Sequence, residues 1–516
     1  MIQQGRLSQA LTQCQQYCAE HPDNLQAWYM LTDLYLRTKQ SIQALTAVLK
    51  TEILAPEQPQ VQLLKINCLI HTGNNEHALQ TANELFEKSI NLLAKDWLTL
   101  GLQFHQLNSL LCAHRCFKQA VDLEPKNNQY LFNYATSLRN TGELTQAEHV
   151  FAQVLALNPK DWDAYLARSL LKKMSTDSNN IAELKALIAT NNSKDAQSKL
   201  LFALAKEQED CQEYSESFKQ LKQANDIRKE FTQYDVDNDI EAFNCITTTY
   251  KTGHHSVTTK STDISDTQAI FIVGLPRTGT TLLERIISQD NEVFAAGELH
   301  DFSSCLTLAV TKHSKVPLTN KLDLIAHSAS IDFDQLGKDY LQSTKALTKN
   351  SAKFIDKMPL NFLYTGLIQR ALPNAKIIHL TRSPMAACYA IYKTSFGQAY
   401  PFSYDLNNLA KYYLAYRKLM THWQQANANN FIEINYEQLV TSPAKVSKQA
   451  FNFLDIEWRD DYLQLQNNKH ASATASSAQV RGEIYQSSVE LWRHYQEELS
   501  PLSIQLEQAG IDPETW

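Results

Sequence analysis

The chain has 516 residues, of which 43% are hydrophobic and 20% charged, and its formal net charge is −7. This composition is globular rather than disordered, and the length allows two large domains or three to four ordinary ones. The acidic balance argues against a general nucleic-acid or anionic-membrane binder, so any anion must be bound by a local group of residues. Glycine is scarce, with 13 residues or about 2.5% against a usual ~7%, which favours helices joined by short connections.

The N-terminal segment and the cysteines indicate the compartment. The segment MIQQGRLSQALTQCQQYC lacks the apolar run of a signal peptide, and the chain contains no apolar stretch long enough to span a membrane. The nine cysteines are odd in number and scattered, and the close pairs Cys14/Cys18 and Cys112/Cys116 lie in helical patterns. We therefore expect reduced thiols, no metal and no membrane span, in a cytoplasmic protein.

The first half of the chain carries prolines at a repeating interval. Pro22 and Pro56, like Pro125 and Pro159, are separated by the 34-residue period of the tetratricopeptide helix-turn-helix. Small residues let the two helices of such a unit approach each other, and proline ends the second helix. We predict an α-solenoid of tetratricopeptide repeats over residues 1–228. The unit that ends at Pro125 fills all the pattern positions: Trp97, Leu100, Gly101, Phe104, Ala113, Phe117, Ala120 and Pro125.

A polar stretch follows the repeats. Residues 229–266 are rich in threonine in their second half and show no clear helix or strand period, so we place a transition between domains there. His254 and His255 are interpreted as solvated residues of this stretch, because no other metal ligand lies nearby. Residues 267–516 are predicted to form an α/β domain of P-loop type with a central parallel sheet.

A glycine-containing loop opens this second domain. The buried-strand pattern QAIFIVG ends at Gly274, and the helical pattern LLERIISQ begins after GLPRTGTT, so backbone N–H groups and a helix N-terminus point at an anion. Gly274 and Gly279 have the spacing of the nucleotide-triphosphate loop, and Thr281 keeps its hydroxyl position. Thr280 replaces the lysine of that loop, which argues against a kinase or ATPase. Arg277 can bind a phosphate or sulfate through two hydrogen bonds.

The pattern strand-G-x-P-R-[ST]-G-T-T-L resembles the 5′-phosphosulfate loop of sulfotransferases that use 3′-phosphoadenosine-5′-phosphosulfate (PAPS). The resemblance is closest to tyrosylprotein sulfotransferases and to bacterial sulfotransferases with N-terminal tetratricopeptide repeats, and its motifs continue to about residue 500. It implies that the loop holds the phosphosulfate. The loop residues that match are Arg277, Thr278, Gly279, Thr280 and Thr281.

Two further motifs carry the reactive groups that the resemblance implies. In AAGELHDF, Glu298 matches the base that accepts the proton of the acceptor, and His300 is the alternative base. In KFIDKMPLNF, Lys357 matches the lysine that stabilises the sulfuryl oxygens as the S–O bond breaks. Lys357 also follows a predicted strand, the end at which open parallel sheets bind ligands, and a helix is expected to start near Pro359.

Two strand ends match the nucleotide-binding positions of the same family. Arg382 follows the predicted strand AKIIHL and corresponds to the arginine that binds the 3′-phosphate. The serine expected eight residues later is Ala390 here, which leaves Ser383 as a substitute donor. Tyr436 follows the strand in NFIEINYEQ and corresponds to the position that contacts adenosine.

The last motif, ASATASSAQVRGEIY, corresponds to a loop that folds over the nucleotide. Ser476 matches the serine beside the cofactor and is assigned a catalytic and binding role, with Ser477 as its neighbour. Leu491 stands where the family commonly has a basic residue, and Arg481 or Arg493 are the candidates to replace it.

We therefore predict a PAPS-dependent sulfotransferase that acts on a hydroxyl, tyrosine or amine acceptor, without a metal because no triphosphate is bridged. Two other classes stay open. One is a non-catalytic repeat protein with a degenerate nucleotide domain, favoured by Ala390 and Leu491, and the other is a nucleotide kinase or NTPase. A protein tyrosine, a carbohydrate, a lipid and a small metabolite all remain open as acceptors, and the repeats favour a recruited peptide or protein.

Overall fold

The computed structural model divides into two compact units, Met1–Ser137 with Tyr340–Asn350, and Leu138–Asp339 with Ser351–Trp516. Each unit is built around its own packed elements. The residues that the structure describes are 6–88, 92–251, 267–314, 316, 318–349, 351–426, 430–467, 471–472 and 484–516.

Helices fill the first half of the described chain, as the scarcity of glycine predicts. In the first unit, a Cβ atom at Gly101 would lie 2.6 Å from Cε1 of Phe117, so only glycine lets helices α6 and α7 approach this closely. The helices of this half are α1 (Leu7–Glu20), α2 (Leu25–Arg37), α3 (Ser41–Leu54), α4 (Pro59–His71), α5 (Asn75–Lys88), α6 (Ala94–Gln106), α7 (Leu110–Leu123), α8 (Asn128–Thr141), α9 (Leu144–Leu157), α10 (Trp162–Ser169), α11 (Ile181–Thr190), α12 (Lys194–Asp210), α13 (Tyr214–Thr232) and α14 (Asp237–Thr249).

The predicted transition at 229–266 contains more helix than its sequence pattern indicated. Helix α13 extends to Thr232, and α14 occupies Asp237–Thr249. Helix α14 is short and buries only a narrow stripe, in which the Phe243 ring packs edge-on against Tyr412 with centroids 5.2 Å apart. So few buried apolar residues give only a weak helical period in the sequence. His254 and His255 lie outside the described residues, and the domain boundaries at 228 and 266 stay a prediction.

A five-stranded parallel sheet forms the centre of the second half, with the strand order β2-β3-β1-β4-β5. The central strand β1 is almost wholly buried, as expected of a parallel strand covered on both faces. The sequence did not predict β2, because three residues are too few to show a period. The strands are β1 (Gln268–Gly274), β2 (Val293–Ala295), β3 (Lys353–Asp356), β4 (Lys376–Thr381) and β5 (Phe431–Asn435).

The helices of this half connect and cover the strands. The helix expected near Pro359 begins as a 3₁₀ turn over Pro359–Tyr364, in which the N–H of Asn361 bonds the carbonyl of Met358, and it becomes α-helical from Thr365. The α-helices are α15 (Thr280–Ile287), α16 (Asp301–His313), α17 (Lys321–Ser328), α18 (Phe333–Thr344), α19 (Thr365–Ala371), α20 (Pro384–Tyr392), α21 (Leu406–Ala426), α22 (Tyr436–Thr441), α23 (Pro443–Phe453) and α24 (Ser500–Gln508).

The described residues contain neither a membrane-spanning helix nor a metal-binding cluster. Among them, no helix combines the length and the apolar character needed to cross a bilayer. They also contain no group of three or more His, Cys, Asp or Glu side chains arranged to hold a metal ion. All nine cysteines lie in this part of the chain and form no disulfide.

Candidate functional site

The predicted site residues lie where the strands end. Because all five strands are parallel, their carboxyl ends share one edge of the sheet. The loop with Arg277 follows β1, Glu298 follows β2 and Lys357 follows β3. Arg382 follows β4 and Tyr436 follows β5. Ser476, Ser477 and Arg481 lie outside the described residues, so their roles stay predictions.

The loop after β1 is closely packed against its neighbours. Gly274 and Gly279 have φ angles of +152° and +97°, a region that favours glycine. A Cβ atom at Gly274 would lie 2.7 Å from the carbonyl oxygen of Leu380, and one at Gly279 would lie 2.3 Å from Cδ2 of Tyr436. Arg277 has a φ of +67°, a left-handed conformation that is strained for a residue with a side chain. The loop therefore packs directly against β4 and Tyr436.

The three threonines of the loop are all buried. The Thr278 hydroxyl donates to the carbonyl of Leu275 over 2.8 Å, so this hydroxyl stabilises the loop itself. Thr280 and Thr281 occupy the first turn of α15, which carries the positive end of the helix dipole. The anion site expected at this turn stays a prediction, with the helix dipole in its favour.

Arg382 joins the loop to the C-terminal segment. Its guanidinium donates to the carbonyl of Arg277 over 2.8 Å and to that of Ser488 over 2.6 Å. It also stacks on the Tyr436 ring, with Cζ 4.6 Å from the centroid, and the Tyr436 hydroxyl lies 2.9 Å from Oγ of Ser488. Burial lowers the pKa of both guanidinium groups, and the Arg382 charge lowers the pKa of Arg277 further. Two neighbouring guanidinium groups at this edge of the sheet give it a positive charge that would attract an anion.

The structure describes most of the residues at which the chain departs from the family pattern, together with their contacts. Ser383, named as the substitute donor, donates its backbone N–H to the Glu437 carboxylate over 3.0 Å. The Oγ atom of Ser383 and the Nε atom of Arg382 are buried without a hydrogen-bond partner in the described part of the chain. Ala390 is buried on α20. Arg493, one of the two candidates to replace the missing basic residue, forms ion pairs with Glu514 and Glu490 instead.

The two predicted reactive groups form an ion pair. Nζ of Lys357 lies 2.5 Å from Oε1 of Glu298, and the Lys357 side chain is wholly buried whereas 39% of the Glu298 side chain is exposed. The backbone N–H of Lys357 donates to the carbonyl of Gly297 over 2.8 Å, which holds the Glu298 loop against the end of β3. His300, the alternative base, is exposed two residues later.

A second carboxyl group, Glu284 on α15, lies beside this pair and was missed by the sequence reasoning. It is 5% exposed and accepts a hydrogen bond from the backbone N–H of Gly297. Burial raises the pKa of Glu284 to about 6, with the Lys357 charge opposing the rise and the Glu298 charge adding to it. The signal in the sequence is a glutamate between the apolar pairs Leu282/Leu283 and Ile286/Ile287, and in the structure every residue of α15 is buried.

These elements define the class: a P-loop-type α/β domain with cationic and acidic side chains at the carboxyl edge of its parallel sheet, preceded by helical repeats. Residues 269–460 match the model of the sulfotransferase family. Residues 1–65 and 112–161 match models of the tetratricopeptide repeat. The second half of the chain thus matches the sulfotransferase family and segments of the first half match the tetratricopeptide repeat, which confirms the predicted resemblance and fold class.

The chain is also similar to curated relatives and to solved structures. An uncharacterized protein of Aquifex aeolicus is 28% identical over 429 residues, which cover 79% of this chain and 54% of that protein. Protein-tyrosine sulfotransferase A of Caenorhabditis elegans is 23% identical over 198 residues, 38% of this chain and 51% of that protein. The chain thus spans about half the length of each of these relatives. A sulfotransferase domain from the curacin biosynthetic pathway, 19% identical, covers 48% of this chain and 98% of its own, with a TM-score of 0.34.

Proposed function

We propose that this protein transfers a sulfuryl group from PAPS to a hydroxyl or amine acceptor. The observation that carries the proposal is the pair at the end of β3, where wholly buried Lys357 lies 2.5 Å from Glu298. Burial of an ammonium group costs free energy, so a wholly buried lysine is expected only where a partner compensates its charge or where the charge has a function. Here the charge lies at the sheet edge where ligands of this fold class bind.

The residues at this edge fit the donor. The first turn of α15, with Thr280 and Thr281, and the Arg277 guanidinium would hold the 5′-phosphosulfate. Arg382 and Ser383 would hold the 3′-phosphate, since Nε and Oγ of these residues are buried polar atoms that lack a partner among the described residues. A buried polar atom without a partner costs free energy that a bound oxyanion would recover.

The remaining nucleotide contacts follow the resemblance. Tyr436 would contact the adenosine, with its ring held by Arg382 and its hydroxyl by Ser488. Ser476 and Arg481, from outside the described residues, would close over the nucleotide. When bound, PAPS supplies the sulfuryl group, and no metal is required by this set of residues.

Glu298 and Lys357 would exchange their mutual contact for contacts with the reactants. Glu298 would accept the proton of the acceptor, which can reach the carboxylate because 39% of its side chain is exposed. Lys357 would place its charge against the oxygens that become negative while the acceptor oxygen binds sulfur and the bond from sulfur to the phosphate oxygen breaks. Glu284 stays behind as a second acidic group for the buried ammonium.

The proposal extends to the acceptor and the compartment. One relative is named a protein-tyrosine sulfotransferase, and tetratricopeptide arrays offer long surfaces for peptides. We propose a tyrosine in a peptide or protein that the repeats recruit as the first acceptor to test. The proposed compartment is the cytoplasm, because nine cysteines without a disulfide are typical of a reducing environment.

The test joins binding and turnover. Calorimetry with 3′-phosphoadenosine-5′-phosphate (PAP) should show binding, and labelled PAPS with tyrosine peptides or cell extract should yield a labelled acceptor. Lys357→Met should lower turnover by roughly 100-fold or more while PAP still binds, since it removes charge stabilisation at the transition state. Lys353→Met, at the other end of the same strand and 22% exposed, is the matched control and should retain activity. A wild-type chain that gives no heat with PAP would instead favour the non-catalytic repeat protein.

A further inference from the structure

A buried carboxylate in the helical half of the chain, Glu209 of α12, is bound by three side chains of the C-terminal region. It accepts hydrogen bonds from Nζ of Lys393 over 2.5 Å, from the Tyr389 hydroxyl and from the Tyr495 hydroxyl over 3.1 Å. Only 10% of the Glu209 side chain is exposed. We call these four residues the Glu209 cluster.

The Glu209 carboxylate is charged, buried and hydrogen-bonded to three side chains, which distinguishes it from a surface ion pair. Burial by itself raises the pKa of Glu209, but the Lys393 charge and the hydrogen bonds from Lys393 and the two tyrosines outweigh it and lower the pKa below its ordinary value. The rings of Tyr389 and Tyr495 also pack together, with centroids 4.7 Å apart. A buried pair of this kind is costly to break because one partner is left uncompensated.

The first segment that reaches the cluster is helix α20. It starts at Pro384, directly after Arg382 and Ser383, and its nine residues end at Tyr392, next to Lys393. At 1.5 Å per residue, α20 is about 13 Å long. The N-terminal end of α20 thus adjoins Arg382 and Ser383, the residues proposed to hold the 3′-phosphate, and its C-terminal end lies in the Glu209 cluster.

The second segment is the chain from residue 484 to residue 495. Near its start, the carbonyl of Ser488 accepts from Arg382. At its end, Tyr495 lies in the Glu209 cluster, and His494 stacks on Tyr214 of α13 with centroids 3.9 Å apart and planes at 7°. The two segments are therefore connected at both ends, by the hydrogen bond from Arg382 to Ser488 and by the shared contacts of Tyr389 and Tyr495 with Glu209.

Helix α13 holds the far end of α20 as well. The Asn225 side-chain amide donates to the carbonyl of Tyr392 over 3.1 Å, and Arg228 donates to the carbonyl of Gly397 over 2.9 Å. Asn225 is wholly buried. Helices α12 and α13 consequently hold the chain that follows β4 through several side-chain hydrogen bonds.

We propose that Glu209 is a positioning residue of the cofactor site. From helix α12, it fixes the distant ends of the two segments that hold Arg382. This inference rests on the proposed function. A site held in its binding geometry before the ligand arrives loses less free energy on binding. Loosening the far ends of both segments should therefore weaken donor binding, while the reactive pair at the ends of β2 and β3 is left intact.

The experiment compares two buried glutamates of the full-length chain, two positions apart on α12. Glu209→Gln should raise the Kd for PAP, and the KM for PAPS, at least about tenfold, with kcat at saturating PAPS changed less than about twofold. Glu207→Gln is the control: Glu207 is wholly buried but bonds Asn180 and Ser169 of the repeat region. It should lower the melting temperature and leave the Kd for PAP within about twofold.

Tyr495→Phe gives a milder second variant, because it removes one hydrogen bond to Glu209 and keeps the ring. It should raise the Kd for PAP about threefold even if Glu209→Gln does not fold. Unchanged PAP binding in the variants, or equal weakening by Glu207→Gln, would overturn the positioning role while leaving the proposed function in place. Absence of PAP binding by the wild-type chain would overturn the proposed function first.

Discussion

Replacement of Glu284 by glutamine tests whether the fold holds a proton on the carboxyl group beside the Glu298–Lys357 pair. The change keeps the size of the side chain and an oxygen that can accept from Gly297, and it removes the titrating group. Burial raises the pKa of Glu284 from an ordinary value of 4.5 to about 6. The folded protein therefore binds this proton more tightly than the unfolded chain does.

The expected magnitude follows from this difference. Each pKa unit corresponds to about 1.4 kcal/mol, so the rise corresponds to about 2 kcal/mol in total. Because the folded pKa is the higher one, stability falls as the pH rises through the window between 4.5 and about 6, and the loss is complete above it. Between pH 5 and pH 7.5 the wild type should lose about 1.2 kcal/mol that Glu284→Gln does not lose.

The assay is calorimetric melting of both proteins at these two pH values. For a unit of roughly 370 residues, an unfolding entropy of about 2.1 cal/mol/K per residue converts 1.2 kcal/mol to about 1.5 °C. The melting temperature of Glu284→Gln, relative to wild type, should rise by that amount from pH 5 to pH 7.5. Glu292→Gln, whose side chain is 78% exposed, controls for the loss of one carboxyl group. A difference that does not depend on pH, or one of opposite sign, would refute the reasoning.

Two more substitutions probe the loop and the base. Gly279→Ala should raise the Kd for PAP at least about tenfold, because the added Cβ atom would lie 2.3 Å from a ring atom of Tyr436. Gly397→Ala is the control: its φ of +64° carries similar backbone strain, but nothing lies within 4 Å of the added Cβ atom. This variant should bind PAP as the wild type does. Glu298→Gln should lower kcat by roughly 100-fold or more, whereas His300→Gln, which changes an exposed side chain outside the ion pair, should stay within about threefold. The reverse order of kcat in these two variants would make His300 the base, and equal Kd values for the two glycine variants would contradict the packing argument.

The sequence by itself determined the features that depend on neighbours along the chain. The repeat period, the strand before Gly274, the helix after it and the polar residues after each strand are local patterns, because strand and helix spacing place the side chains. Parallel strands bring their carboxyl ends to one edge, so Lys357, Arg382 and Tyr436, which each follow a predicted strand, could be grouped before the strand order was known. Glu298 joined this group only through the family resemblance, because the strand before it was not predicted.

The tertiary structure decided the contacts between distant segments and the burial that sets their charge states. Glu284 lies beside Gly297, and Glu209 meets Lys393 and Tyr495, only because the chain folds back on itself. No local spacing encodes such a meeting. The pKa of a carboxyl group depends on the water it loses and the charges it gains, and these are properties of the packed molecule. For that reason the sequence showed which chemical groups are present, and only the fold showed which of them act on one another.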